Sequence, residues 1–231
     1  SAASDVYKRQ LLNRSILSSV AKVSGGEGIR IKPVGMHTKA EWTIQMSAIY
    51  SSLTRSNLTT AYLSNGTGGE FYTRISSTAG IQVKNGRDGD DTWTQIPLQA
   101  GKWLHITYVH KDKKTTVYVN GKVQKVFENS AITFGENSMI VVGNSGYRND
   151  YLREIRLWDK ALTESEINDY LYLPMDPATP HLISYLPLSK EMETKDLKAP
   201  AGTENVTTKA RIEYVENVKF PADELVIVNQ E

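Results

Sequence analysis

The chain of 231 residues contains no cysteine. A disulfide framework and a thiolate zinc site are therefore both excluded. The same lack weighs against an animal extracellular domain, in which disulfides commonly staple the fold. No apolar run approaches the length of a membrane-spanning helix, and no signal peptide is visible. Neither sign of charge dominates: 27 Lys and Arg are matched by 26 Asp and Glu, for a formal net charge of +1. Such balance gives no overall attraction to nucleic acid or to an anionic membrane surface. Catalytic signatures of short spacing are missing too: nucleophile elbow, P-loop, H-E-x-x-H and dinucleotide fingerprint. The four histidines, His37, His105, His110 and His181, are scattered singly, as packed or surface residues rather than a ligand set.

Residues 1–27 are weakly patterned. Leu11, Leu12, Ile16, Leu17 and Val20 could line one face of a short helix, which Gly25, Gly26 and Gly28 would end. This stretch is read as a linker or N-terminal extension from an upstream domain, the chain opening on Ser1 as a mature form or excised piece.

From there the period changes to two. Residues 41–50 place Trp42, Ile44, Met46 and Ala48 on one face with polar residues mostly opposite, the pattern of a half-buried strand. Short strands are predicted at 58–64, 70–76 and 80–84, parted by Asn65-Gly66, Gly68-Gly69 and residues 78–80. Asn-Gly and Gly-Gly suit hairpin turns because a type I′ turn needs positive φ at both central positions. Residues 103–109 alternate, 112–114 turn, 115–119 return, and Asn120-Gly121 leads into 122–127. Strands at 138–142 and 152–158 follow, and Trp42, Trp103 and Trp158 fall at core positions of their strands. Thr163 with Glu166 three residues later forms a capping box that opens a short helix.

The run G-K-W-L-H-I-T-Y-V, then T-V-Y-V-N-G-K, then I-V-V-G-N-S, then L-R-E-I-R-L-W-D-K-A-L-T-E-S-E-I, resembles the laminin G-like/pentraxin-like domains. Those domains sit within the concanavalin A-like lectin/glucanase superfamily. The resemblance covers residues 103–167 in order and, more loosely, the strands from 41 onward. It implies an all-β fold: an antiparallel β-sandwich (jelly roll) with one short helix. One departure lies before the strand at 152–158, where family members often place Gly and this chain has Asn149-Asp150-Tyr151.

Beyond residue 172, Pro174, Pro177 and Pro180 punctuate a connection. Residues 181–188 resemble the family strand that re-enters the sheet after the helix, and 211–221 alternate again. The tail is similar to the ends of multidomain Bacteroidetes surface proteins. Residues 28–231 are accordingly expected to form one sandwich that includes 173–231 as an integral extension.

The resemblance also directs the search for chemistry. Glucanases of this fold carry E-x-D-x-x-E on one strand, so that alternate carboxylates flank a glycosidic bond. No such run occurs here, and Glu154 and Asp159, five apart, read as solvated charges on a strand and its exit. Asp88, Asp90 and Asp91 lie in a Gly-rich loop and could supply hard oxygen ligands to Ca²⁺, which laminin G-like domains often hold at a loop rim. Turns also recruit Asp and Gly for backbone reasons alone. The loop 143–151 has the composition of a sugar site: flat rings for stacking, with forked polar groups for hydroxyl pairs. Its candidates are Tyr147, Arg148, Asn149 and Asp150, with Trp93 and Tyr72 as further stacking surfaces.

The expected function is a non-catalytic carbohydrate-binding or adhesion module of a bacterial surface or secreted glycan-utilisation protein. Its partner would be an oligo- or polysaccharide. Its full-length form would be secreted or held at the surface as an outer-membrane lipoprotein, next to a neighbouring domain. The alternatives are a spacer packed on an absent catalytic domain, and a glycoside hydrolase in its own right.

Overall fold

The computed structural model describes residues 19–26, 28–36, 39–53, 55–62, 71–85, 92–128, 134–143, 147–171 and 174–218, with backbone alone for 55–62, 85, 147 and 148. Its strands are Ser19–Gly25 (β1), Ile29–Ile31 (β2), Trp42–Ile49 (β3), Arg55–Tyr62 (β4), Phe71–Ser76 (β5), Gly80–Asn85 (β6) and Trp103–Lys111 (β7). Then come Lys114–Val119 (β8), Lys122–Phe127 (β9), Met139–Val142 (β10) and Tyr147–Trp158 (β11). Helix Glu164–Asp169 (α1) precedes Leu182–Leu186 (β12), Val206–Thr208 (β13) and Arg211–Glu216 (β14).

Two antiparallel sheets pack face to face. The eight-stranded sheet runs β14-β1-β11-β3-β7-β8-β9, and β12 pairs with the second half of β11. The six-stranded sheet runs β13-β2-β10-β4-β5-β6. Between them lies the main core: Trp42, Ile44, Met46 and Ala48 of β3 meet Phe71, Ile75, Ile81 and Val83 of β5 and β6. Trp42 is its centre, edge-on to Phe71 at 5.3 Å and to Phe134 at 5.8 Å. Such aromatic contacts add about 0.5–1.5 kcal/mol each beyond the area they bury.

Local chemistry sets the turns. Asn120 (φ 51) and Gly121 (φ 76) both take positive φ, as a hairpin between β8 and β9 requires. The turn at Asp112 (φ 50) and Lys113 (φ 62) has the same hand without glycine. At α1 the predicted capping box is complete, with reciprocal bonds between Thr163 and Glu166.

The sandwich starts earlier than the sequence pattern indicates. Ser19–Gly25, inside the stretch expected to be a linker, is a strand between β11 and β14. Ala21 and Val23 enter the core, and Gly25-Gly26 ends a strand rather than a helix. Trp103 is only half-buried and lies outside the core, whereas Trp42 and Trp158 are fully enclosed. The turns Asn65-Gly66 and Gly68-Gly69 lie outside the described residues.

The far side of the eight-stranded sheet is covered as well. A second apolar cluster joins Val109 and Trp158 to Leu162, Ile167, Met175, Leu182 and Tyr185. Helix α1 and the segment after it therefore close this face. The outer side of the six-stranded sheet carries no such helix among the described residues.

Candidate functional site

The covered face of the eight-stranded sheet contains a layer of buried polar side chains. Gln45 accepts from the Trp158 indole at 2.9 Å, and Ser47 bonds the ring of His105 at 2.8 Å. Burial, and then the positive charge of Arg156, hold the His105 pKa down at about 3. His110, packed in the main core against Trp42, is pushed down to about 4 by burial. Both rings are neutral at pH 7.

Glu154 is part of this layer. Contrary to the expectation of a solvated charge, it is fully buried. One oxygen accepts from Arg156 at 2.7 Å and the other from the Tyr185 hydroxyl at 3.1 Å. The reason is a β-bulge: the register against β3 slips between Arg153 and Arg156, with Glu154 at φ 57. A carboxylate held this way anchors the extension to the sandwich. Asp159 accepts from Lys39 at 3.0 Å and His181 at 2.9 Å. Partial burial raises its pKa, but these two donors outweigh that and leave it below the usual carboxylate value.

Of the predicted sugar loop 143–151, residues 147–151 belong to β11 and residues 144–146 lie outside the described residues. Tyr147 and Arg148 pair with Gly25 and Ser24 on β1, and Asp150 pairs with Val23. Asn149 is the extra residue of that ladder, exposed and at φ 62. Asn tolerates the left-handed region better than other residues with a Cβ, which explains its place where family members often have Gly. Asp150 is buried, and its Oδ1 accepts from the Ser51 amide at 2.7 Å. It fastens the end of β3 to β11. The candidate metal ligands Asp88, Asp90 and Asp91 lie outside the described residues. Among the described residues no group of three or more His, Asp or Glu could hold a metal.

Trp93 and Tyr72 lie elsewhere, on the outer face of the six-stranded sheet. Directly paired residues in an antiparallel ladder share a face. Arg30 pairs with Val141, Tyr72 with Lys84 and Arg74 with Gln82, while Trp93 forms a bridge to Gln82. Their ladder neighbours Ile29, Ile31, Phe71, Ile75, Ile81 and Val83 all point into the core, so these residues point outward. Arg74 sits over the Tyr72 ring, 5.3 Å from its centre, and donates from Nη1 to Gln82 Oε1 at 3.2 Å. Lys125 reaches across from β9, bonding the Thr92 hydroxyl and the Trp93 carbonyl. Thr94 locks the segment to β6, its hydroxyl accepting from the Ile81 amide at 3.0 Å.

A contiguous array thus runs Trp93, Gln82, Arg74, Tyr72, Lys84: rings for stacking with charged donors beside them, and a buried Gln82 that accepts from Arg74. Both aromatic members were visible in the sequence. Arg74, Gln82, Lys84 and Arg30 were not singled out. The available signal was the tight turn at 77–79, which fixes Ser76 opposite Gly80 and so sets the other pairs of that hairpin.

The family model described as concanavalin A-like lectin/glucanases superfamily (laminin G type) matches residues 24–168, more than half of the chain. The chain belongs to this superfamily. Its solved relatives are distant, and the superfamily fold is what they share. A candidate carbohydrate-binding protein from Bacteroides ovatus has a TM-score of 0.59 at 18% identity, covering 87% of this chain and 61% of its own. The heptameric SAP-like pentraxin of Limulus polyphemus gives 0.57 at 14% identity, covering 85% of this chain and 95% of its own. Domain 4 of the extracellular arabinanase AbnA from Geobacillus stearothermophilus, solved with arabinotriose, gives 0.55 at 19% identity, covering 66% and 76%. This lectin/glucanase-type chain therefore spans 61% of the length of the Bacteroides protein. No curated protein matches it in sequence.

Proposed function

We propose that the chain is a non-catalytic carbohydrate-binding module whose binding surface is the outer face of the six-stranded sheet. The observation that carries this reading is the cluster of Tyr72 and Arg74 on β5 with Trp93, which is bridged to the buried Gln82 of β6. Stacking rings with polar donors beside them are what a sugar's apolar face and hydroxyl pairs require, and the strands keep that arrangement rigid. The mechanism is recognition with no bond broken. Glu154, a strand carboxylate, is fully engaged by Arg156 and Tyr185, which leaves it no role in glycosidic bond cleavage.

The likeness to a candidate carbohydrate-binding protein and to a domain of an extracellular arabinanase supports a place in a secreted or surface-held bacterial glycan-utilisation protein. Calcium on Asp88, Asp90 and Asp91 remains part of the proposal. A spacer role is the second reading. It is favoured by Val123 and Val126 on the edge strand β9, which are 45% and 41% exposed and could pack on a neighbouring domain.

A glycan array tests these readings, with the purified chain in Ca²⁺ and in EDTA, beside Tyr72→Ala, Trp93→Ala and Tyr147→Ala. Binding that Tyr72→Ala and Trp93→Ala abolish and Tyr147→Ala spares is the expected result. Loss on Tyr147→Ala alone moves the site to β11. No binding to any glycan leaves the spacer.

A further inference from the structure

We infer that the outer face of the six-stranded sheet selects glycans carrying a carboxylate, that is, oligosaccharides of uronic acids. The inference rests on the binding role proposed above and adds the class of sugar. On a chain of net charge +1, the charged side chains described on this face are all basic. Arg30, Arg74 and Lys84 point outward from β2, β5 and β6. The other residues described on that side are Thr207, Val141, Ser76, Tyr72 and Gln82, with Trp93 beside them; Val141 and Gln82 are themselves buried, and no carboxylate stands among the described residues.

Arg74 is the specific element. Its guanidinium carbon lies 5.3 Å from the Tyr72 ring centre and its Nη1 is tied to Gln82, which restrains the fork. The Nη2 donors have no partner among the described residues. A planar fork of restrained orientation matches a carboxylate by two parallel hydrogen bonds, which a neutral hydroxyl pair cannot equal in strength. Restraining the fork beforehand removes part of the ordering cost of binding. Half-burial keeps the charge from being fully screened. Arg30 and Lys84 stand on one cross-strand row with Tyr72, at β2 and β6 of the order β2-β10-β4-β5-β6. Four gaps of about 4.8 Å put them roughly 19 Å apart.

The test is calorimetric titration of the whole chain with a galacturonic acid oligosaccharide and with the neutral galactose oligosaccharide of the same linkage and length. The uronate is expected to bind at least about tenfold more tightly, with affinity falling as salt rises. Arg74→Ala should remove that preference, and Arg74→Lys, which keeps the charge but loses the fork, should remove most of it. Thermal unfolding of each variant verifies that it is folded. Equal affinity for the two oligosaccharides, or a preference for the neutral one, overturns the inference and leaves the binding role standing. Uronate selectivity that survives Arg74→Ala in a folded protein overturns the assignment to this residue. Single-stranded DNA bound as tightly as the uronate would reduce the effect to unselective charge and also overturn it. Binding of no sugar, neutral or acidic, here and on the array, removes the inference together with the binding role.

Discussion

Glu154 and Arg156 form an ion pair of 2.7 Å that is wholly withdrawn from solvent, at the bulge where the extension meets the sandwich. Arg156 also donates to the Tyr170 carbonyl at 3.0 Å, and Tyr185 accepts from the Met175 amide at 3.1 Å while donating to Glu154. One carboxylate thereby fastens the region after α1, and β12, to β11. Glu154→Ala removes the carboxylate that pairs with the buried guanidinium and should cost about 3–5 kcal/mol in urea unfolding. Tyr185→Phe, which keeps the ring, should cost about 1–3 kcal/mol. A loss below 1 kcal/mol for Glu154→Ala would remove its role as anchor.

The two buried histidines set an acid limit. Their folded pKa values, about 3 for His105 and about 4 for His110, lie below the ordinary 6.5. Between those values the unfolded chain binds more protons than the folded one, so stability is full above pH 6.5 and falls as pH falls. At pH 5 His105 alone should cost about 2 kcal/mol relative to neutral pH. His110 acts in the same direction. Urea unfolding at pH 7 and pH 5 checks this, and a flat profile would contradict it.

Gly80 couples stability to the candidate site. It has φ +80, and a Cβ there would lie 2.1 Å from Thr94 Oγ1 and 2.4 Å from the Ile96 carbonyl. Gly80→Ala should therefore push the segment carrying Trp93 away from β6 as well as straining the turn. We expect a loss of about 1–3 kcal/mol in denaturant unfolding, with faster amide exchange at Ile81, whose N–H Thr94 accepts. Unchanged exchange would show that Thr94 does not depend on the bare glycine.

Asn149 offers the opposite case. At φ 62 on an exposed bulge, Asn149→Gly should be neutral or slightly stabilising, while Asn149→Val should cost about 1–2 kcal/mol by thermal or urea unfolding. Equal stability of the two variants would deny the bulge.

How much of this was legible in the sequence varies with the range of the interaction. Asn120-Gly121 and the Thr163 to Glu166 box act within four residues, and the sequence pattern predicts both correctly. The alternation of 42–49 gave a strand and its inward face for the same reason. β1 was missed because its partners, β11 and β14, lie more than a hundred residues away. Glu154 was misjudged because alternation assumes a regular strand, and a bulge breaks it. Its burial also depends on a tail that docks on the sheet's outer face. The site was half legible: Trp93 and Tyr72 are conspicuous by type, but only the β5–β6 register puts Arg74 and Gln82 between them.

The most direct measurement is amide chemical-shift mapping of the isotope-labelled chain, titrated with the best oligosaccharide from the array. Saturable shifts should concentrate at 72–76, 80–84 and 92–94 and be abolished in Trp93→Ala. Shifts concentrated instead at 147–151, or unaffected by that substitution, would contradict the sheet face as the binding surface.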